Sequence, residues 1–534
     1  MSSHLEAFLE KQNEQLETLY KRVAFNHWMS ATTGKEEWAE KNKHSLKEYY
    51  SYFANKERFQ MVKSFRSEDT ISVVQRRQLD DLYNKMIKNQ RDQSSLDETL
   101  ELEKELSVAF NTYRPTVDGM EITNNDILKV LKESKSESER KQAWLASKQI
   151  VKKLEERILK LVRKRNQDAR SLGFSNYYEM NFITQDLDID VVFKVFNDLK
   201  KISDFEFRKI KNEIDTEITE KLNIKIEDIR PWHYTDPFFQ EAPPLKGIDV
   251  DCFYKDKDLE KVSRATFDSM GLNVDDILNQ SDLYARKDKN PFGFCSDLDR
   301  SGDIRILINL ENNQFWGTAL LHELGHAVYS KYINRTLPFI LRFQSHTLTT
   351  EASALFFGRL TKSSAWLKKF MEVDDEKVIF SMEKALRRDM IVSARWFLTF
   401  SYFEKALYEN PDQDLNQLWW TTVKEIQLLN PPEDCTYPDW ASKMHFSLAP
   451  VSYQNYLLGE LAASQLQGYI ENHISVDLFK PEVGQYLIEN YFQYGAVYDW
   501  NEKIKQATGE NLNPAYFVKQ FLKCKGDLSK KRYI

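Results

Sequence analysis

A mainly α-helical protein is what this sequence predicts, and three observations carry that expectation. Glycine (16) and proline (14) are scarce for 534 residues, so few turns and few breakers interrupt long elements. Apolar residues recur at helical spacing near the start of the chain, with Leu5, Phe8, Leu9, Leu16 and Tyr20 forming one stripe. Only between about 228 and 310 do prolines cluster and short β-branched runs appear. Hydrophobic residues at 41% suffice for a large core, and charged residues at 29% for a solvated surface. A formal charge of −7 offers no broad basic face to phosphates, which argues against nucleic acid as a partner.

Taken in order, residues 1 to 115 form an amphipathic helical block, broken near Trp28 and the turn-like TTG at 32 to 34. A second helical block covers roughly 125 to 225, with SKSESER (134 to 140) as an exposed junction and LGFSNYYEM (172 to 180) marking a turn. Then come the proline-rich strings PWHYTDPFF and EAPPLKG, and DIRILINL at 303 to 310 as the best strand. Helices resume from 311 to the end. No repeat or low-complexity linker divides the chain, so 1–534 reads as one unit. The opening MSSHLEAFLEKQNEQLETLYKR lacks a basic start followed by an apolar core, so it is not a signal peptide, and a cytoplasmic protein is expected. No run approaches eighteen uninterrupted apolar residues, and the window from Met390 carries Arg395, so no membrane span is expected. Cys252, Cys295, Cys435 and Cys524 are scattered without a CxxC spacing and read as reduced thiols.

The chemistry is stated at residues 322 to 326, which read HELGH. Two histidines four apart in a helix share one face, so both imidazoles can reach one metal ion. His322 and His326 are therefore candidate zinc ligands, with Glu323 as the base that holds and deprotonates water. With nine histidines in the chain, independent placement predicts on the order of 0.01 such strings. The flanking Phe315, Leu320, Leu324 and Val328 suggest a buried apolar stripe against which unpartnered histidines would be costly. Spacing then sorts the peptidase classes. A third histidine at the metzincin position would fall on Tyr332, and a thermolysin-like glutamate near His346. Glu351, 25 residues after His326 and inside a helical stretch from about Thr347 to Leu360, is the candidate third ligand; His346 reads as a structural helix-start residue.

Together these motifs resemble the peptidyl-dipeptidase A (angiotensin-converting enzyme) family and, more distantly, the thimet oligopeptidase family. HELGH with Glu351 carries the zinc part, and SGDIRILINL resembles the family's approach to the zinc helix. NQLWWTTVKEIQLLNPP (416 to 432) resembles its double-tryptophan segment, and KMHFSLAPVSYQNY (443 to 456) its Lys-Phe-His segment with two tyrosines three apart. The matches run from about 295 to 460 in the family's order. The resemblance implies two helical halves around a deep substrate channel, a small β element beside the zinc helix, and the helices of 1–115 as a lid. It implies a zinc-dependent peptidase releasing C-terminal dipeptides from short peptides, with a substrate lying along the 303–310 strand. Tyr456 would donate to the oxyanion and His445 would be a second donor, while Lys443 and Tyr453 would hold the free C-terminal carboxylate.

Departures from the family pattern carry expectations of their own. Asn309 and Asn430 replace disulfide partners; Val423 and Asn455 replace arginines that bind activating chloride, so no chloride requirement is expected. Cys295 is followed by Ser296 where the family has a histidine, and Leu355 stands where an acidic residue follows the zinc glutamate. The 25-residue gap to Glu351 matches the thimet branch better, which makes an endo-acting oligopeptidase the alternative. A non-catalytic helical peptide-binding protein of the same fold is a third reading, against which the intact Glu323 counts.

Overall fold

The computed structural model describes residues 2–245, 250–433 and 436–522. Helices dominate, in keeping with the sequence. The chain opens with α1 (Ser2–Thr33), α2 (Glu36–Phe53), α3 (Lys56–Arg66) and α4 (Val73–Ile87). It continues through α5 (Gln93–Thr112), a two-residue hairpin of β1 (Thr116–Val117) and β2 (Met120–Glu121), and α6 (Asn124–Glu133). Next come α7 (Glu137–Lys148), α8 (Val151–Ser171), α9 (Tyr177–Thr184), α10 (Ile189–Leu222), α11 (Leu259–Ser269) and α12 (Asp275–Gln280). After β3 (Phe294–Asp297) and β4 (Ile304–Leu307) follow α13 (Gln314–Lys331), α14 (Thr347–Gly358), α15 (Ser364–Met371), α16 (Glu376–Glu409) and α17 (Leu415–Ile426). The chain closes with α18 (His445–Leu448), α19 (Gln454–His473), α20 (Pro481–Leu487), α21 (Trp500–Thr508) and α22 (Ala515–Phe521). Among the described residues no helix is long and apolar enough to cross a membrane.

Two apolar cores organise these elements. The larger one runs from Leu102 and Leu106 of α5 to Phe517 and Phe521 of α22 and includes α13, α14, α16 and α19. A smaller one joins Leu5, Phe8, Leu9, Leu16, Phe59, Leu79 and Leu82 of α1–α4 to Phe339, Ile340, Leu341 and Ala496. The separate N-terminal block thus ends at α4, not near residue 115, because the apolar face of α5 packs into the main core. α1 also runs unbroken past Trp28 to Thr33; the real stop is Gly34, whose left-handed φ of 62° ends the helix. Trp28 is buried instead, packing with Ala24, Ala31, Leu298 and Leu307.

The small β element lies beside α13. β3 and β4 pair antiparallel, with Phe294 opposite Leu307 and Asp297 opposite Ile304. On its other side β4 meets Asp282, which donates its N–H to Ile306 O and accepts from Ile308 N. β4 therefore has both edges occupied. A ligand strand cannot add along 303–310 as the sequence suggested; the free edge belongs to β3.

Candidate active site

α13 begins at Asn313, whose side chain caps it by accepting from Trp316 N, and so carries His322 and His326 on one face. Their rings stand 4.9 Å apart and nearly perpendicular. α14 crosses α13 closely because the contact points are glycines. A Cβ on Gly325 would come 2.7 Å from Ala354 Cα, and one on Gly358 3.2 Å from His322 Cβ. Ser353 Oγ fastens the crossing by donating to Gly325 O at 2.8 Å. This explains the glycine inside HELGH and the small residues after Glu351.

The crossing brings Glu351 Oε2 to 3.8 Å from His322 Nε2 and Glu351 Oε1 to 3.7 Å from His326 Nε2. Among the described residues these three form the one group of His, Cys, Asp or Glu side chains close enough to hold an ion, all within 4.8 Å. Zinc bonds of about 2.0–2.1 Å in a tetrahedral site would place ligand atoms ~3.3 Å apart, so the three groups would draw together on a metal, and two imidazoles with a carboxylate are a donor set that fits zinc. Nδ1 of His326 lies 2.7 Å from Thr350 Oγ1. With Nδ1–H donating there, Nε2 is left bare toward Glu351, the tautomer a metal requires.

Electrostatics favour the same use. Burial lowers His322 to about 4, and burial plus His322 lowers His326 to about 3, so both stay neutral near pH 7. Glu351 is raised to about 7 by burial and by nearby Glu460. Glu323 is also raised to about 7, by burial and then by Glu351, while a hydrogen bond from the Cys295 backbone N–H acts in the opposite sense. A carboxyl poised near neutrality is suited to taking and returning a proton.

The residues of 443–456 form a second cluster, joined to the first through α19. A Cβ on Gly459 would lie 3.0 Å from Glu351 Cβ, so α19 is in direct contact with the ligand-bearing turn of α14. Tyr456, one turn earlier, is 48% exposed and stacks on Phe397 at 5.8 Å. Tyr453 is buried against Phe400, ring centroids 3.9 Å apart, and meets His445 edge-on at 4.9 Å. His445 Nδ1 is buried without a hydrogen-bond partner, and burial with Lys443 lowers the imidazole to about 4. Lys443 Nζ donates to Gln240 Oε1 at 2.7 Å; burial lowers the amine to about 8 against the pull of Asp236 and Glu241. The segment is fixed at Val451, a β-branched residue at φ 54°. Its N–H donates to Glu404 Oε1 at 2.9 Å, and its carbonyl accepts from Gln185 Nε2 at 3.1 Å and Gln454 Nε2 at 2.9 Å.

Several sequence expectations need correcting or placing. Phe315 is not part of a buried stripe: it is 70% exposed, while Leu320, Leu324 and Val328 are buried. Seven residues before His322, it lies on the same helical face as the histidine, away from the core face. His346 is the N-cap of α14, its Nδ1 accepting from Leu348 N. Asn309 donates to Asn290 O, Asn430 to Ile229 O and Asn455 to Gln185 Oε1; Val423 is buried. Leu355 fills the contact with Gly459. Cys252 and Cys295 are reduced thiols, and Cys435 and Cys524 lie outside the described residues. Sequence reading missed Thr350, Gln240, Gln185 and Glu404. Only Gly459 left a signal, since a glycine inside a long helix costs stability unless a close approach needs it.

No family model matches the chain, and no curated protein matches it.

Proposed function

We propose that this protein is a zinc-dependent peptidase acting on short peptides, with release of C-terminal dipeptides as its main activity and the cytoplasm as its place of work. The observation that carries the reading is the convergence of His322, His326 and Glu351 with Glu323 held beside them at the free edge of β3. Zinc held by the three ligands would supply Lewis acidity to water and to the scissile carbonyl. Glu323 takes a proton from water and returns it to the departing amine. Tyr456, half exposed and one turn before the Gly459 contact with Glu351, donates to the developing oxyanion, and His445, whose Nδ1 has no partner, is a second donor. A substrate strand adds to the outer edge of β3, which recognises main chain and tolerates many side chains. Lys443, with Gln240 and Tyr453, receives the C-terminal carboxylate.

One observation favours the endo-acting alternative. A cavity of about 470 Å³ lined by Gln240, Gln314, Lys362, Asp389 and Ser393 shares Gln240 with the Lys443 contact, which offers room for a longer C-terminal segment. Mass spectrometry of a free-acid decapeptide and its C-terminal amide, incubated with zinc-loaded and chelated protein, separates the readings. Stepwise loss of dipeptides from the free acid alone is the expected result. Internal cuts in both peptides would favour the oligopeptidase, and no zinc-dependent cut in either would overturn the peptidase reading.

A further inference from the structure

The free edge of β3 is shorter than the strand. Asp282 takes up Ile306 O and Ile308 N, so the intervening odd residues of β4 turn their backbone groups toward β3. With Ser296 opposite Arg305 and Phe294 opposite Leu307, the outward-facing residues of β3 are Cys295 and Asp297, followed backwards by Gly293. Leu298 N donating to Asp303 O, on the β4 side, fits the same alternation. Glu323 Oε1 comes within 3.8 Å of a Cβ position on Gly293, and the Cys295 backbone N–H acts on its carboxyl, so the scissile bond would lie along the Gly293–Cys295 stretch of this edge. Two residues on, the Asp297 carbonyl is already taken: Tyr20 of α1 donates its hydroxyl to it at 2.8 Å.

That contact is clamped. The Arg300 guanidinium lies 4.1 Å from the Tyr20 ring centroid and 4.4 Å from that of Phe343, and donates to Phe339 O at 3.2 Å. Asp297 Oδ1 in turn accepts from Arg300 N at 2.7 Å, which fixes the carbonyl's own residue. His27 and Trp28 of the same helix pack on Phe294 at 5.2 and 6.1 Å.

The direction of a substrate follows from the other end. Gln314, in the first turn of α13, shares a cavity with Gln240, which holds Lys443. α13 follows β4, whose last residue pairs with the first residue of β3. The carboxylate end of a peptide therefore lies toward Gly293, and its amino end toward Asp297. In antiparallel pairing, the residue bearing the scissile carbonyl sits opposite Cys295, and the residue two before it sits opposite Asp297. We infer that Tyr20 terminates the substrate-binding edge at Asp297, so that main-chain recognition extends to only two residues on the amino side of the cleavage point. Building on the peptidase reading, this means that residues beyond the second on the amino side add no main-chain affinity.

The test is a nested series of acetylated alanine peptides sharing one carboxy-terminal half, with one to five residues before the cleavage point. Affinity is measured by calorimetry on the chelator-treated full chain, and kcat/KM on the zinc-loaded protein. For the wild type, affinity should rise to the second residue and stay flat from the third. Tyr20→Phe keeps the ring under Arg300 and frees the carbonyl. It should tighten binding about five-fold, one net hydrogen bond, only for peptides with three or more residues. An equal change at every length, or a wild-type gain continuing through the third residue, overturns the inference. A step at the third residue without any hydrolysis would keep this inference and remove the peptidase reading; no binding at any length would remove both.

Discussion

On one side of the candidate site, Gly325, Gly358 and Gly459 let α13, α14 and α19 meet at backbone contact. On the other, Val451 is held in a left-handed conformation by Glu404, Gln185 and Gln454, and the tyrosines follow from it. The first side is positioned by packing, which is short-ranged and tolerates little displacement. The second is positioned by hydrogen bonds onto a strained turn, which hold a geometry only while every partner is present. A metal needs its ligands within tenths of an ångström, whereas an oxyanion donor on a substrate that comes and goes can be set more loosely. On the proposed reading, the difference in construction follows the difference in task.

This comparison can be broken most decisively at its packed side. Glu323→Gln should keep full zinc content while peptide hydrolysis falls at least ~100-fold, a general-base contribution; unchanged hydrolysis would contradict the role and favour a protein that binds peptides without cutting them. Thr350→Val removes the side-chain partner of His326 Nδ1. Zinc affinity, titrated against a competing chelator, should drop about 10-fold with the fold intact. An unaltered affinity would mean that helix packing alone orients the imidazole.

Smaller effects should mark the hydrogen-bonded side. Burial raises Glu404 to about 8, while Val451 N–H and Arg165 pull it down. The unfolded chain releases this proton near 4.5 and the folded protein near 8, so stability is full at low pH and is lost as pH rises through that interval. Glu404→Gln keeps an acceptor for Val451 and cannot ionise. Its thermal midpoint should fall less than the wild type's between pH 5 and pH 8, with turnover near normal. Glu404→Leu should lose several-fold in kcat with zinc content unchanged, since an unmade buried hydrogen bond is worth about 1–3 kcal/mol. Identical pH profiles for Gln and wild type would show that the Glu404 carboxyl does not titrate between pH 5 and pH 8.

How much of this was legible in the sequence divides along the same line. HELGH, the distal Glu351, the strand before α13 and the helical character of the chain were all written in local patterns with fixed spacing. Glu351 could be preferred over His346 because one lies inside a helix and the other at its start. The hydrogen-bonded side was legible only as motif, since Gln240 meets Lys443 across 203 residues and Gln185 meets Val451 across 266. No local period connects such pairs. Phe315 was misread because an apolar residue near a leucine stripe looks like core until the helix is phased against His322. The strand was found, but its partner on each edge depends on topology that spacing does not contain.

The small core under α1–α4 has a consequence for how the chain is made. Leu5, Phe8 and Leu16 share their core not only with α2–α4 but also with Phe339, Ile340, Leu341 and Ala496. During synthesis α2–α4 can cover part of the α1 stripe once they emerge, but more than three hundred residues must leave the ribosome before Phe339, Ile340 and Leu341 complete this core. These helices are made well before the segments that complete their core, so their packing is finished late.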